Sequence, residues 1–212
     1  MTSAQNVKVI RVPIPTPTLW PHTTTNSYVI GNDKETVLID AGYDQQVTRE
    51  TLDAVLQDNQ LAEPKSIILT HSHPDHAPGI RQLLDWSPNI YCHENEKPEI
   101  EQLLPPNYPL QFLRDGDVVK VADTELTIIH APGHTSGQLN LYLASQHVLL
   151  AGDNIVAEGT TWIGAPDGNM SDYINSLKRL QKLKLTKIGP GHGDWVLQPQ
   201  EQLEFVLNRR LS

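Results

Sequence analysis

The stretch Ser66-Ile67-Ile68-Leu69-Thr70 followed by His71-Ser72-His73-Pro74-Asp75-His76 constrains this chain more than any other. The first five residues read as a buried strand. Its end carries three imidazoles and one carboxylate within six residues. A strand that ends in such groups aims them at one point while the sheet holds the backbone still. Neutral imidazole and carboxylate are good ligands for zinc and similar divalent metals. His71 and His73 alternate, so an extended chain presents both on one side. Asp75 and His76 come from the turn that follows.

Three more candidate ligands share this placement. His134 follows the apolar run 126–129 through Ala131-Pro132-Gly133. Asp153 follows Val148-Leu149-Leu150-Ala151-Gly152, and His192 follows Lys187-Ile188-Gly189-Pro190-Gly191. In each case an apolar strand ends, Gly or Pro breaks it, and a ligand type appears. Four separate strand ends that present His or Asp point to one metal centre.

The rest of the chain alternates strands with helices. Strands are expected over 7–12, 27–30, 36–39, 66–70, 89–92, 118–121, 125–130, 139–143, 147–150 and 187–189. Gly31-Asn32-Asp33 suits a hairpin turn. Pro13, Pro15, Pro17 and Pro21 predict an irregular loop before the second strand. Helices are expected over 47–56, 77–84, 98–104, 171–183 and 199–210, the fourth N-capped by Ser171. Several adjacent strands are hairpin-linked. The pattern therefore predicts an α/β fold with mixed sheets covered by helices, not a purely parallel sheet.

At 212 residues without a composition shift, the chain reads as one domain over 1–212. A net charge of −9 argues against broad attraction to nucleic acid or anionic membrane. Cys92 is the sole cysteine, which excludes an intramolecular disulfide. The Met1-Thr2-Ser3-Ala4-Gln5-Asn6 start lacks a signal peptide's basic and apolar segments. Nothing approaches the roughly 20 apolar residues of a membrane span. A soluble, cytoplasmic protein with a small-molecule substrate is the expectation; the oligomeric state is left open.

His71-x-His73-x-Asp75-His76, then His134, Asp153 and His192, resembles the metallo-β-lactamase superfamily. The resemblance runs from Asn26-Ser27-Tyr28-Val29-Ile30 through Leu38-Ile39-Asp40-Ala41-Gly42 to Gly191-His192-Gly193. It implies a four-layer αβ/βα sandwich of two mixed sheets, with the site at one edge. It also implies two divalent metals, most readily Zn2+, with Mn2+ or Fe2+ as alternatives. By motif position His71, His73 and His134 would hold one metal, and Asp75, His76 and His192 the second. Asp153 would bridge them, and Asp75 would also orient the attacking hydroxide and move its proton. In such sites two metals sit about 3.5–4 Å apart and acidify bound water.

Asp153 stands where class B1 β-lactamases carry Cys, and His76 is a residue they lack, which disfavours a β-lactam substrate. Two branches look nearest: glyoxalase II and the beta-lactamase-like endoribonucleases. The latter likeness rests on residues 152–161, on 170–180 and on Gly189-Pro190-Gly191-His192-Gly193. Both branches continue into a further helical region, for which the sequence after residue 208 leaves little room. The resemblance implies a dinuclear hydrolase of a small ester, thioester or lactone. An RNA phosphodiesterase and a mononuclear-iron persulfide dioxygenase are the alternatives.

Other residues carry weaker expectations. Asp40 is read as a carboxylate that orients a ligand, or as a loop cap. Trp20, His22, Tyr108 and Trp162 are loop residues, read as local packing or as a substrate wall. His93, His130 and His147 read as structural histidines, and Cys92 as a buried thiol. Lys178, Arg179, Lys182, Lys184 and Lys187 form a basic patch, read as a solvated helix face with RNA or phosphate contact as the alternative.

Overall fold

The computed structural model describes residues 7–17 and 22–211. Six strands form the first sheet: β1 (Lys8–Pro15), β2 (Thr24–Gly31), β3 (Thr36–Ile39), β4 (Ser66–Ile68), β5 (Asn89–Cys92) and β6 (Leu110–Phe112), paired in that order. The β1/β2 and β2/β3 pairs are antiparallel, and β3 through β6 are parallel. Five strands form the second: β7 (Val118–Val121), β8 (Thr124–His130), β9 (Leu139–Leu143), β10 (Val148–Gly152) and β11 (Lys187–Pro190). Their spatial order is β11-β10-β9-β8-β7, with only β10/β11 parallel. Both sheets are mixed, as the hairpin-linked strands predict.

Burial separates the molecule into four layers. Tyr28, Ile30, Val37, Ile39 and Ile68 of the first sheet meet Leu126, Ile128, Leu141 and Leu150 of the second in a central core. The alternate residues of the first sheet, Val29, Leu38 and Ile67, pack outward against Leu52 and Leu56 of α1 (Gln46–Asp58). Ile129, Leu149 and Ile188 of the second sheet pack outward against α3 (Met170–Leu180) and α4 (Pro199–Leu211). The short α2 (Lys97–Glu101) follows β5. Two faces covered per sheet explain why the central strands are apolar throughout.

Three local expectations are corrected. The expected loop at Pro13 and Pro15 is the second half of β1, paired residue by residue with Asn26 and Thr24. β1 is an edge strand, where a missing N–H can face away from the sheet. The expected helix over 77–84 is two 3-10 turns, Pro78–Gln82 and Leu84–Trp86. Pro78 removes a donor, and Gly79 lies so close to Ala41 that any side chain would strike its carbonyl. Gly79 N donates to Gly42 O at 2.9 Å, which ties the segment to the loop after β3, while Ile80 N and Leu83 N close 3-10 turns on Ala77 O and Ile80 O. Finally, α3 is capped by Asn169, whose Oδ1 accepts from Ser171 N and Asp172 N, and not by Ser171.

Candidate metal centre

Five strand ends deliver polar residues to one edge of the sandwich. Asp40 follows β3, residues 71–76 follow β4, His134 lies between β8 and β9, Asp153 follows β10, and His192 follows β11. Direct hydrogen bonds join the two sheets at this edge. Leu139 N donates to Thr70 O at 2.8 Å, and Asn26 N to Gly191 O at 2.8 Å. Asn26 Nδ2 also donates to Pro190 O and Gly193 O, and Tyr28 OH to Pro190 O. Ligand types from different sheets are thus held at fixed separation.

The seven sequence candidates converge. His71, His73 and His134 each direct one nitrogen into a common space, as do His76, His192 and Asp75 with one atom each; the atoms of each group lie within 4.8 Å of one another. Asp153 stands between the two groups. Its Oδ1 is 3.1 Å from His76 Nε2, and its Oδ2 is 3.5 Å from His134 Nε2 and 3.4 Å from His192 Nε2. Gly191 makes room for this carboxylate, since a Cβ there would run into Asp153 Oδ1.

The imidazoles are oriented from behind. His76 Nδ1 lies 2.8 Å from Asp40 Oδ2, His134 Nδ1 2.9 Å from Trp162 O, and His192 Nδ1 3.0 Å from Thr24 O. His71 Nδ1 is 3.0 Å from Thr70 Oγ1, whose own hydrogen goes to Asp40 Oδ2. In these four rings Nδ1 faces an acceptor and so carries a proton, whereas His73 turns its Nδ1 to the centre, 3.0 Å from His134 Nε2. Their Nε2 atoms face the centre, the nitrogen whose lone pair a bound metal would take in place of a proton. Asp40 is therefore the orienting carboxylate: Oδ1 accepts from Thr70 N at 2.7 Å, and Oδ2 serves Thr70 and His76.

Residues 20–192 match the family model described as the metallo-beta-lactamase superfamily. The chain belongs to this superfamily. A beta-lactamase-like protein 2 homolog of Caenorhabditis elegans is 30% identical over 196 residues, covering 89% of this chain and 62% of that protein. An atrochrysone carboxyl ACP thioesterase of Cryptosporiopsis sp. is 28% identical, covering 88% of this chain and 54% of its own length. The chain thus spans less than two thirds of either relative. Among solved structures, the metallo-beta-lactamase family protein TTHA1429 of Thermus thermophilus superposes with a TM-score of 0.83 at 26% identity. It covers 96% of this chain and 79% of that one. TTHA1623 in a di-iron-bound form gives 0.71 at 27% identity, covering 89% and 96%.

The donor set of this superfamily member fits metal. His76 Nε2 and Asp153 Oδ1 approach as an ion pair but, like His71 Nε2, have no hydrogen-bond partner, although all three are buried. Buried polar atoms without partners are costly, and a cation satisfies them together. Burial, then His76 and His134, push the His71 imidazole well below its ordinary range, so it is neutral with its lone pair available. Burial would raise the Asp75 carboxyl, but His76 and His192 outweigh it and hold it at about 2. Burial would lower His192, but Asp153 and Asp75 lift it to about 10; Asp153, Asp75 and Asp40 likewise lift His76 well above its ordinary range. Without metal, protonated imidazoles supply the positive charge these carboxylates need.

A cavity of about 630 Å3 opens over the centre, lined by Asp75, His134, Asp153 and His192 together with Pro17, His22, Tyr43, Val156 and Trp162. His22 stacks on His192 with ring centroids 5.1 Å apart, and Trp162 is 63% exposed, so both meet whatever enters. Trp20 lies outside the described residues. Tyr108 is away from the site; its OH donates to Pro88 O, and its ring packs on the outer core. His93 and His130 stack on each other, and His147 Nδ1 faces Tyr142 OH. Cys92 is buried, and burial pushes its thiol up to about 12. In the basic patch Arg179 pairs with Asp115 at 2.7 Å, and Lys187 sits over the Trp195 ring.

Two residues absent from the sequence reading bear on the centre. Thr25 Oγ1 donates to Asp75 Oδ2 at 2.8 Å. Glu96 is buried between the loops that carry His71–His73 and His134. Neither has a local sequence signal, because each meets its partners only through the tertiary fold.

Proposed function

We propose that this chain is a dinuclear metal-dependent hydrolase of a small ester, thioester or lactone. The observation that carries the reading is Asp153 standing between two three-residue groups, with one oxygen towards His76 and the other towards His134 and His192. His71, His73 and His134 would hold one metal; Asp75, His76 and His192 the other; Asp153 would bridge. Zinc suits this nitrogen and oxygen set, with iron or manganese as alternatives. The bound metals supply a Lewis acid for the substrate carbonyl and acidify a water molecule.

The chain's own groups do the rest. Asp75 Oδ2 is held by Thr25 Oγ1, which leaves Oδ1 to take a proton from the attacking water. Pro17, Tyr43, Val156 and Trp162 form an apolar wall that seats the acyl group and excludes water from it. Asp40, Thr70, Thr24 O and Trp162 O keep the imidazoles turned towards the centre.

The lining favours an acyl substrate over RNA. Among the described residues it contains no Lys or Arg, whereas backbone phosphates need cations along their path. Lys178 and Arg179 are on α3, and Arg179 is already paired. A complete second group of Asp75, His76 and His192 favours two metals over a single iron. Thioesterases among the relatives support thioesters within the acyl class.

The test is metal analysis on protein purified without chelator, followed by turnover of acyl thioesters, single-stranded RNA and glutathione persulfide in one buffer. Two metals per chain with thioester turnover is the expected result. Two metals with RNA cleavage alone, or one iron with oxygen consumption, would overturn the reading.

A further inference from the structure

Glu96 lies outside the ligand set, yet its carboxylate touches both loops that carry the first group of ligands. It sits at the end of the turn Glu94–Glu96 after β5, and it is buried. Oε2 accepts from Ser72 N at 2.9 Å and from Ser72 Oγ at 2.6 Å. Oε1 accepts from Thr135 Oγ1 at 2.6 Å and from Gly137 N at 2.9 Å. Ser72 lies between His71 and His73, and Thr135 directly follows His134.

No Lys or Arg forms an ion pair with Glu96 among the described residues. Its two oxygens are occupied entirely by backbone amides and hydroxyls, two donors on each. Burying a carboxylate is costly unless such donors are fixed in place. The same four bonds fix the donors in turn, and with them the backbone beside three imidazoles. The result is visible in the rings: His73 and His134 are 4.7 Å apart, His71 and His134 4.9 Å, and His71 and His73 4.6 Å. Gly137 permits this approach, since a Cβ there would meet the Glu96 carboxylate.

We propose that Glu96 is a positioning residue for the metal site formed by His71, His73 and His134. It clamps a loop of the first sheet to a loop of the second and sets the spacing of that group. The inference rests on the dinuclear reading above. It goes beyond that reading by making one site depend on a residue that touches no metal, while the site of Asp75, His76 and His192 does not depend on it.

The experiment is a competition titration of zinc against a chromogenic chelator, with wild type, Glu96→Gln, Ser72→Ala and Thr135→Val, alongside metal-free urea unfolding. In Glu96→Gln the new NH2 must face a backbone N–H whichever way the amide turns, that of Ser72 or that of Gly137, and the hydroxyl beside it must reverse its role. One of the two zinc affinities should fall by about 10–100-fold, the usual effect of losing a group that orients ligands. The other should stay within about threefold. Ser72→Ala and Thr135→Val, which leave the carboxylate in place, should weaken the same site by less; they also carry the test if Glu96→Gln fails to fold. Cobalt substitution identifies the affected site, because the absorption of the three-histidine site should change while that of the site with Asp75, His76 and His192 persists.

Unchanged affinities in Glu96→Gln, or a parallel fall at both sites that tracks lost metal-free stability, would overturn the proposal. If Glu96→Gln fails to fold, the same results in Ser72→Ala and Thr135→Val would overturn it. A wild-type chain that binds fewer than two zinc ions would instead overturn the dinuclear reading.

Discussion

Replacing Asp40 by Asn tests the site from behind, because one oxygen fewer must serve three donors. Asp40 Oδ1 accepts from Thr70 N at 2.7 Å, while Oδ2 accepts from Thr70 Oγ1 and His76 Nδ1, both at 2.8 Å. Asp40 and His76 are buried, so water cannot substitute. If the amide oxygen stays on Thr70 N, the NH2 faces His76 Nδ1. The imidazole then accepts at Nδ1 and carries its proton on Nε2, where the metal should bind. If the amide turns over, Thr70 N loses its acceptor at about 1–3 kcal/mol. Moving an imidazole proton costs less than that, so the first outcome prevails. Metal affinity at the site of Asp75, His76 and His192 should fall by about 10–100-fold, or about 1.4–2.8 kcal/mol. Metal-free stability should fall as well, by about 3–5 kcal/mol, because the buried Asp40–His76 pair loses one of its charges. Zinc titration and urea unfolding of the metal-free protein measure the two quantities. Wild-type affinity at both sites would refute the tautomer argument, and so would a large stability loss with metal binding intact.

Four further outcomes follow from the same geometry. Asp75→Ala should lower thioester turnover by about 10²–10⁴-fold with an unchanged circular dichroism spectrum; retention of a tenth of activity would exclude the proton-transfer role. Gly191→Ala should displace the Asp153 carboxylate and bring metal content from two towards one, read by mass spectrometry. Trp162→Ala should raise KM for long acyl esters roughly tenfold, equivalent to about 1.4 kcal/mol, while acetyl esters change little; equal effects would place its ring outside the acyl path. Burial lifts the Cys92 thiol to about 12, so the folded chain keeps its proton well above the point, about 8.5, where an unfolded chain loses it. Stability from this group is therefore lost as pH rises above about 8.5, and alkylation at pH 8 should be slow until denaturant is added, with rapid labelling of the native protein as the contrary result.

The sequence was legible where local pattern and tertiary role coincide. The candidate ligands sit at strand ends marked by apolar runs and by Gly or Pro, so both type and place were readable. Asp40 was readable for the same reason, since it ends β3. β6 was not read, because its three residues are half-buried or exposed and show no alternation. β1 was cut short because Pro13 and Pro15 signal a break, and only the sheet order reveals that they lie on an edge. The segment 77–84 has helical apolar spacing, but Gly79 N is bonded to Gly42 O in the loop after β3, and the remaining bonds close 3-10 turns.

What holds the candidate ligands was harder to see than the candidates themselves. A metal restricts its donors to a few residue types, so seven of them in one pattern stand out. An orienting group is under no such restriction, and the chain has 25 Asp and Glu from which to choose. Glu96 is separated by 24 residues from Ser72 and by 39 and 41 from Thr135 and Gly137. Nothing in Glu94-Asn95-Glu96 distinguishes it from its solvated neighbours. The distinction lies in burial without a cation, which obliges a carboxylate to collect amide and hydroxyl donors. Those donors belong to loops that approach only after both sheets have formed. The strand ends place the candidate ligands locally, whereas the closure of the sandwich decides which carboxylate bonds the loops that carry them.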